Sequence, residues 1–433
     1  MKALVRAAAQ ALVRLYYPKR TCEGLDRLGT GPVILAPNHP NALLDPLVLR
    51  LALGRPVAFL AKSTLFSNAF TRFVLAAFDA IPVYRQRDAE GGDRGGKNEE
   101  TFARCRALLA RGGALALFPE GTSHSDPTMK PLRTGAARIA LSAEAERDFG
   151  LGLRIVPVGL FYESKSTFRS GAHVVLGEPI AVARFAARQR EDDRAAATEL
   201  TAELRRAMDD VVLQAETREL LEGATRLARA LVEPAASQDE LADQRAGAKR
   251  LLDGYRSAMT REPARTEALV ERCRKYLETM TLLGIDDPWA IETPRVKKRA
   301  IFARALLLLA TSPLAVAGAA LGWVPYRLAG RLAARVTHEE DVLGTAKLLG
   351  GALLLAVAWS AEAVAVGVRF GPIAGASVVP IAAVLGLVAL LWDEALTDAR
   401  GALRALVVRR DPMAAELART RAEIAGEIGA LLE

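Results

Sequence analysis

Two apolar tracts constrain this chain more than anything else in it. Ala305 to Tyr326 runs for 22 residues without a charge, and Leu348 to Trp392 for 45 with only Glu362 and Arg369 inside. At about 1.5 Å of rise per residue, the first can cross a bilayer once and the second twice. The second has its turn at Gly367-Val368-Arg369-Phe370-Gly371-Pro372. Basic residues flank both tracts: Arg295 to Arg304 before the first, Arg327 to Lys347 between them, and Arg400 to Arg410 after the second. Three full crossings would put two of these basic groups on opposite sides, against the positive-inside tendency. The expectation is a re-entrant first tract, bent near Pro313, and a second tract that crosses out and back. The other reading of the same residues is a buried helical layer in a soluble protein. The net charge of +8 suits anionic headgroups or phosphorylated substrates. With such tracts in the chain, the expected surface partner is membrane lipid and not nucleic acid.

Upstream lie short apolar runs that end in polar residues. Pro32 to Ala36 reads as a buried strand and is followed by Pro37-Asn38-His39-Pro40-Asn41-Ala42-Leu43-Leu44-Asp45. Prolines on either side of His39 hold it on a loop, and Asp45-Pro46 has the pattern of an N-cap with proline at the first helical position. A carboxylate on one ring nitrogen would leave the other free as a base. The plain alternative is that Asp45 only caps a helix. Ala114 to Phe118 is a second strand candidate, ending in Pro119-Glu120-Gly121-Thr122-Ser123-His124. Ala80 to Arg87 is a third, with Arg85 and Arg87 on one face, where guanidinium groups suit phosphate. Arg154 to Leu160 is a fourth, and its Pro157 argues for a strand end or an edge.

Other motifs are weak. There is no Gly-x-Ser-x-Gly elbow. Gly91 to Lys97 approaches a phosphate-binding loop but is followed by Asn98 where Ser or Thr is needed, so it reads as a loop. Cys22, Cys105 and Cys273 are scattered, and His124, His173 and His338 are isolated, so no metal site is expected. Without a serine or cysteine nucleophile motif, the chemistry would use the substrate's own hydroxyl, which is the pattern of an acyltransferase.

The four runs, in this order, resemble the glycerolipid acyltransferase superfamily, which includes glycerol-3-phosphate and 1-acylglycerol-3-phosphate acyltransferases. The resemblance covers roughly residues 20–185. The blocks correspond to His39/Asp45, Ile81 to Arg85, Phe118 to Ser123, and Val156 to Gly159. One departure is that five residues separate His39 from Asp45, where the common pattern has four. The Asn-His-Pro-Asn…Asp-Pro variant is similar to a branch with fungal-type enzymes that acylate glycerol-3-phosphate or dihydroxyacetone phosphate.

The resemblance implies His39 as general base, Asp45 as its orienting partner, Arg85 on the acceptor phosphate, and Glu120 and Gly121 on the glycerol phosphate. Charge and position add Arg87, Lys62 and Lys130 as substrate-binding candidates, and Thr122, in the loop after Gly121, is a further one. It also implies no bound cofactor. The co-substrate would be acyl-coenzyme A or an acylated acyl carrier protein, and the catalytic domain would lie on the cytoplasmic membrane face. A lysophospholipid-remodelling enzyme and a non-catalytic lipid-binding protein are the alternatives.

The expected fold is α/β, a mixed sheet flanked by helices, followed by an α-helical region and a membrane-embedded helical anchor. The expected division is an amphipathic helix over 1–20 with a Leu4, Ala8, Leu12, Leu15 stripe, and an acyltransferase domain over 21–215. A charged helical region over 216–300, membrane-associated helices over 301–400 and a C-terminal helix over 401–433 follow.

Overall fold

The structure, a computed structural model, describes residues 1–84, 94–232, 239–285, 288–289, 298–408 and 412–432. It divides into two compact units: Met1–Glu216 together with Glu339–Thr345, and Thr217–His338 together with Ala346–Glu433.

The first unit is built on a mixed sheet. Its strands are β1 (Lys19–Glu23), β2 (Val33–Pro37), β3 (Ala58–Lys62), β4 (Ala80–Val83), β5 (Ala114–Ala116), β6 (Arg154–Tyr162), β7 (Gly171–Leu176) and β8 (Ile180–Ala181). They lie in the order β1-β7-β6-β2-β5-β3-β4, with β8 paired to β6. From β6 to β4 all neighbours are parallel. β7 runs antiparallel to β6, and β1 follows β7. Central strands covered on both faces read as unbroken apolar runs, and β2 is buried at every position.

The helices of this unit are α1 (Lys2–Tyr16), α2 (Leu44–Leu53), α3 (Ala69–Ala77), α4 (Arg94–Leu109), α5 (Gly135–Ala145), α6 (Ala186–Glu191) and α7 (Asp193–Val211). Ile34, Leu115 and Ile155 of the sheet share one core with Ile139 and Leu141 of α5 and Leu200 and Leu204 of α7. Each such side chain contributes roughly 1.5–3 kcal/mol on burial. The parallel strands all end at one edge, where ligands bind in open α/β sheets.

Two local expectations are corrected, at Pro157 and over 91–97. Pro157 is in an interior strand, because β6 is flanked by β2 on one side and by β7 and β8 on the other. It falls between the segments paired with β8 (to Ile155) and β7 (from Val158), where no ladder bond is required of it. The loop expected over 91–97 is helical from Arg94, while 91–93 lie outside the described residues. In α1 the buried positions are Val13 and Tyr16, and Leu4 of the expected stripe is 74% exposed. The helix is held from its other side, where Arg6 donates to the Ala77 carbonyl and pairs with Asp79.

In the second unit, α8 (Arg218–Leu231), α9 (Glu240–Arg261), α10 (Pro263–Leu283) and α14 (Pro412–Leu432) bundle around Leu227, Tyr276, Leu277, Met280, Leu417 and Ile424. Thr217 and Asp239 cap α8 and α9 with their side chains, and Pro263 opens α10.

The remaining helices are α11 (Lys298–Val336), α12 (Glu340–Phe370) and α13 (Pro372–Val408). Three segments are long and apolar enough to cross a membrane: Phe302–Val336, Glu340–Phe370 and Pro372–Arg404, with mean hydropathy 1.9, 1.8 and 2.4. The turn between α12 and α13 falls at Gly371, as expected, with φ of 95°. α11 is unbroken through Pro313. Proline cannot donate to the Leu309 carbonyl, and the Ser312 hydroxyl donates to it instead at 2.8 Å.

Glu339–Thr345 belongs to the first unit although it opens α12. A Cβ at Gly344 would stand 2.9 Å from the Lys165 carbonyl oxygen and 3.0 Å from Asn41 Oδ1. Only glycine lets this segment lie against the loop that leads to Asp45.

Candidate active site

Several residues singled out in the sequence lie at the carboxyl edge of the parallel strands, with Tyr162 beside them. His39 follows β2, Lys62 ends β3, Glu120 follows β5, and Tyr162 ends β6. β2 and β5 are hydrogen-bonded neighbours, so topology alone brings the His39 loop and the Glu120 loop together. The contact is direct: the His124 amide donates to the His39 carbonyl at 3.1 Å.

His39 Nδ1 lies 2.7 Å from Asp45 Oδ2. The carboxylate only accepts, so Nδ1 carries the proton and Nε2 presents its lone pair. Asp45 is not a helix cap. α2 starts at Leu44 with Leu43 before it, and no side chain caps it. The Asp45 oxygens are instead taken by the site: Oδ2 also accepts from the Asn41 amide at 2.8 Å, and Oδ1 from the Tyr162 hydroxyl at 2.6 Å. Asp45 is fully buried, while the His39 side chain keeps 15% of its surface. The carboxylate is therefore sealed and the imidazole is reachable.

The shell around the pair is packed. Phe118 stacks on the His39 ring with centroids 3.8 Å apart and planes 15° from parallel. Asn41 donates from Nδ2 to the Tyr17 hydroxyl at 2.6 Å, and Tyr17 donates to the Lys165 carbonyl at 2.6 Å. Ala42 has a positive φ of 37°, a strained conformation for a residue with a Cβ. Burial, and then the Asp45 charge, push the Tyr162 phenol well above its ordinary range. Burial raises Tyr17 likewise. Both tyrosines stay protonated and able to donate at neutral pH. Burial pushes the thiols of Cys22 and Cys105 up to about 12 and that of Cys273 to about 11, so none supplies a thiolate near pH 7.

Glu120 is nearly sealed, with a side chain 1% exposed. Its Oε2 accepts from the Lys130 amide at 2.7 Å and stands 2.5 Å from His124 Nε2. Gly121 has φ of 75°, and a Cβ there would sit 2.7 Å from Arg133 Nε. That position therefore needs glycine both for its backbone and for the arginine laid across it. Thr122 donates to the Ser123 carbonyl at 3.3 Å. Lys130 Nζ pairs with Asp126 at 3.2 Å, and Lys165 Nζ donates to Ser125 Oγ at 2.7 Å. Lys62 ends β3 one strand beyond β5. Arg85 and Arg87 lie outside the described residues.

Tyr162, Asn41, His124, Lys165 and Arg133 were not among the residues the sequence nominated. Asn41 and His124 sit inside the two motif loops, so a polar side chain beside each nominated residue was a usable signal. For Tyr162 and Lys165, contacts of more than a hundred residues' separation carry the role, and no local pattern shows them.

The sheet thus holds, at its carboxyl edge, an imidazole fixed by a buried carboxylate. Residues 19–160 match the family model described as Acyltransferase. Glycerol-3-phosphate O-acyltransferase 2 of Saccharomyces cerevisiae is 28% identical over 205 residues, covering 47% of this chain and 27% of that protein. The chloroplastic 1-acyl-sn-glycerol-3-phosphate acyltransferase BAT2 of Brassica napus is 27% identical over 153 residues, covering 34% of this chain and 40% of that protein. The crystal structure of the 1-acyl-sn-glycerophosphate acyltransferase PlsC from Thermotoga maritima aligns with 17% identity and a TM-score of 0.33, over 47% of this chain and 77% of that one. The chain thus spans well under half the length of either curated relative.

Proposed function

We propose that this protein is a membrane O-acyltransferase of glycerolipid synthesis. It would move a fatty acyl group from a coenzyme A or acyl carrier protein thioester to a hydroxyl of glycerol-3-phosphate or 1-acylglycerol-3-phosphate. The observation that carries this reading is the His39–Asp45 pair, 2.7 Å apart, with Nε2 left as the base. The family match and the relatives named as glycerol-3-phosphate and 1-acylglycerol-3-phosphate acyltransferases support the acceptor class.

In the reaction, His39 Nε2 removes the proton as the acceptor oxygen attacks the thioester carbonyl. Asp45 stabilises the imidazolium that forms. The tetrahedral intermediate then collapses, the C–S bond breaks, and the proton held by His39 goes to the departing thiolate. Donors around the site would hold the oxyanion. Glu120 and Gly121 would bind the glycerol phosphate, with Arg85, Arg87, Lys62, Lys130 and Thr122 as further contacts. The catalytic domain would face the cytoplasm, where the thioesters are made.

The test is an assay of detergent-purified protein and its His39→Ala variant, with palmitoyl-coenzyme A and palmitoyl carrier protein as donors. Glycerol-3-phosphate and 1-acylglycerol-3-phosphate are offered separately. Product from one or both acceptors is expected, with turnover lost in His39→Ala by a factor on the order of 10³ or more. A fully active variant removes the mechanism. Absence of product from every pair in the wild type would move the reading to lysophospholipid remodelling or to lipid binding without catalysis.

A further inference from the structure

The turn that leads to Asp45 carries two unfavourable features. Ala42 has a positive φ of 37°, which a residue with a Cβ adopts at a cost. Asn41 is fully buried and spends its Nδ2 on the Tyr17 hydroxyl and the Lys165 carbonyl. Its Oδ1 is sealed from solvent with no hydrogen-bond partner among the described residues. Such a conformation persists only where its surroundings over-determine it. One of those surroundings comes from far along the chain. The first turn of α12, within Glu339–Thr345, belongs to the same compact unit. A Cβ at Gly344 would stand 2.9 Å from the Lys165 carbonyl oxygen, 3.0 Å from Asn41 Oδ1 and 3.1 Å from Leu44 Cδ1. Gly344 therefore abuts both ends of the turn, which the Leu44 amide closes on the Asn41 carbonyl at 2.9 Å. Glu340, in the same turn of helix, lies 3.8 Å from Lys165 Nζ, which donates to Ser125 Oγ in the loop after β5.

We propose that the opening turn of α12 is a positioning element, in which Gly344 packs on Asn41 and Leu44 and so holds Asp45 against His39. This rests on the acyltransferase reading above and deepens it, by adding a part that neither motif loop supplies. The route is short. The Asn41 amide donates to Asp45 Oδ2 at 2.8 Å, and the same oxygen faces His39 Nδ1 at 2.7 Å. A displaced Asn41 withdraws one of the two donors that fix this oxygen, and the carboxylate is then free to swing from the ring. Neither Gly344 nor Asn41 is among the residues assigned to acceptor or thioester. Releasing the turn therefore slows the chemical step and leaves substrate binding as it was. The rest of α12 is apolar and long enough to cross a membrane. The residue that presses on the Asp45 turn is thus anchored at the start of that helix.

The experiment measures kcat, acceptor KM and donor KM for detergent-purified wild type, Gly344→Ala, Asn41→Ala, their double variant and Gly350→Ala. Amide hydrogen exchange is followed on the same preparations. Gly344→Ala is expected to lower kcat roughly tenfold to a hundredfold, the scale of a misplaced reacting group, with both KM values within about twofold. Exchange should quicken over 38–45 and stay unchanged over β5 and α5. Asn41→Ala should show the same pattern. The double variant should lose little more than the worse single one, since both changes release one turn. Gly350→Ala, on the same helix with nothing within 4 Å of the added Cβ, should match wild type. Wild-type kcat in a folded Gly344→Ala or in Asn41→Ala overturns the proposal. So do losses that multiply in the double variant, or an equal loss in Gly350→Ala. Should Gly344→Ala exchange fast throughout, and so fail to fold, Asn41→Ala decides alone. A wild type that acylates no glycerol phosphate overturns the functional reading beneath, while quickened exchange confined to 38–45 in Gly344→Ala would still uphold the packing role.

Discussion

Asp45 holds three donors on two oxygens, one of them His39 Nδ1. Tyr162 supplies the donor on Oδ1 at 2.6 Å, from a phenol that burial keeps protonated. Tyr162→Phe should therefore cost about 1–3 kcal/mol of stability, because it strands a buried carboxylate oxygen. It should also lower kcat on the order of tenfold by loosening the His39 tautomer. Denaturant titration and initial rates measure both. Asp45→Asn should keep the fold and lose activity by a factor on the order of 10³–10⁴, as expected when an amide selects the wrong tautomer. A raised phenol contributes in full below its ordinary value of 10.0, so neither Tyr17 nor Tyr162 should shape the neutral limb of a pH–rate profile. An inflection at neutral pH that Tyr162→Phe removes would contradict this.

At the scale of elements, Asn38 joins the end of β2 to β6. Its Oδ1 accepts from the Leu160 amide at 2.7 Å, and its Nδ2 donates to the Leu160 carbonyl at 3.3 Å. Asn38→Ala should cost about 1–3 kcal/mol, read as a fall in Tm, and should reduce activity through a displaced His39 loop. Four of the eight strands, β2, β4, β5 and β6, were legible as short apolar runs, whereas the charged β1 (Lys19–Glu23) and β3, β7 and β8 were not. Their order was not, since pairing is decided by contacts distant in sequence. Pro157 shows the difference: locally it argues for an edge, and the sheet gives it an interior place between two partners. Asp45 shows it again. The Asp-Pro pattern is that of a cap, yet the carboxylate turns back to two donors of the loop and to the Tyr162 hydroxyl at the end of β6. The contact between His39 and Asp45 could be read because only six residues separate them. Tyr162 could not.

At the scale of the whole molecule, the three apolar helices and the basic flanks predict tight membrane association. The protein should sediment with membranes, resist alkaline carbonate extraction, and need detergent for release. Recovery in the soluble fraction without detergent would favour the buried-layer reading of α11 to α13. The two units are not simple successive lengths of chain, because Glu339–Thr345 returns to the first after the excursion through the second. Gly344 there fills the space over Asn41 and the Lys165 carbonyl. The ribosome therefore delivers the last piece of the first unit only after α11 has been made. Before that, the sheet unit stands with one wall open, and cutting the chain after Glu216 would leave that wall open for good.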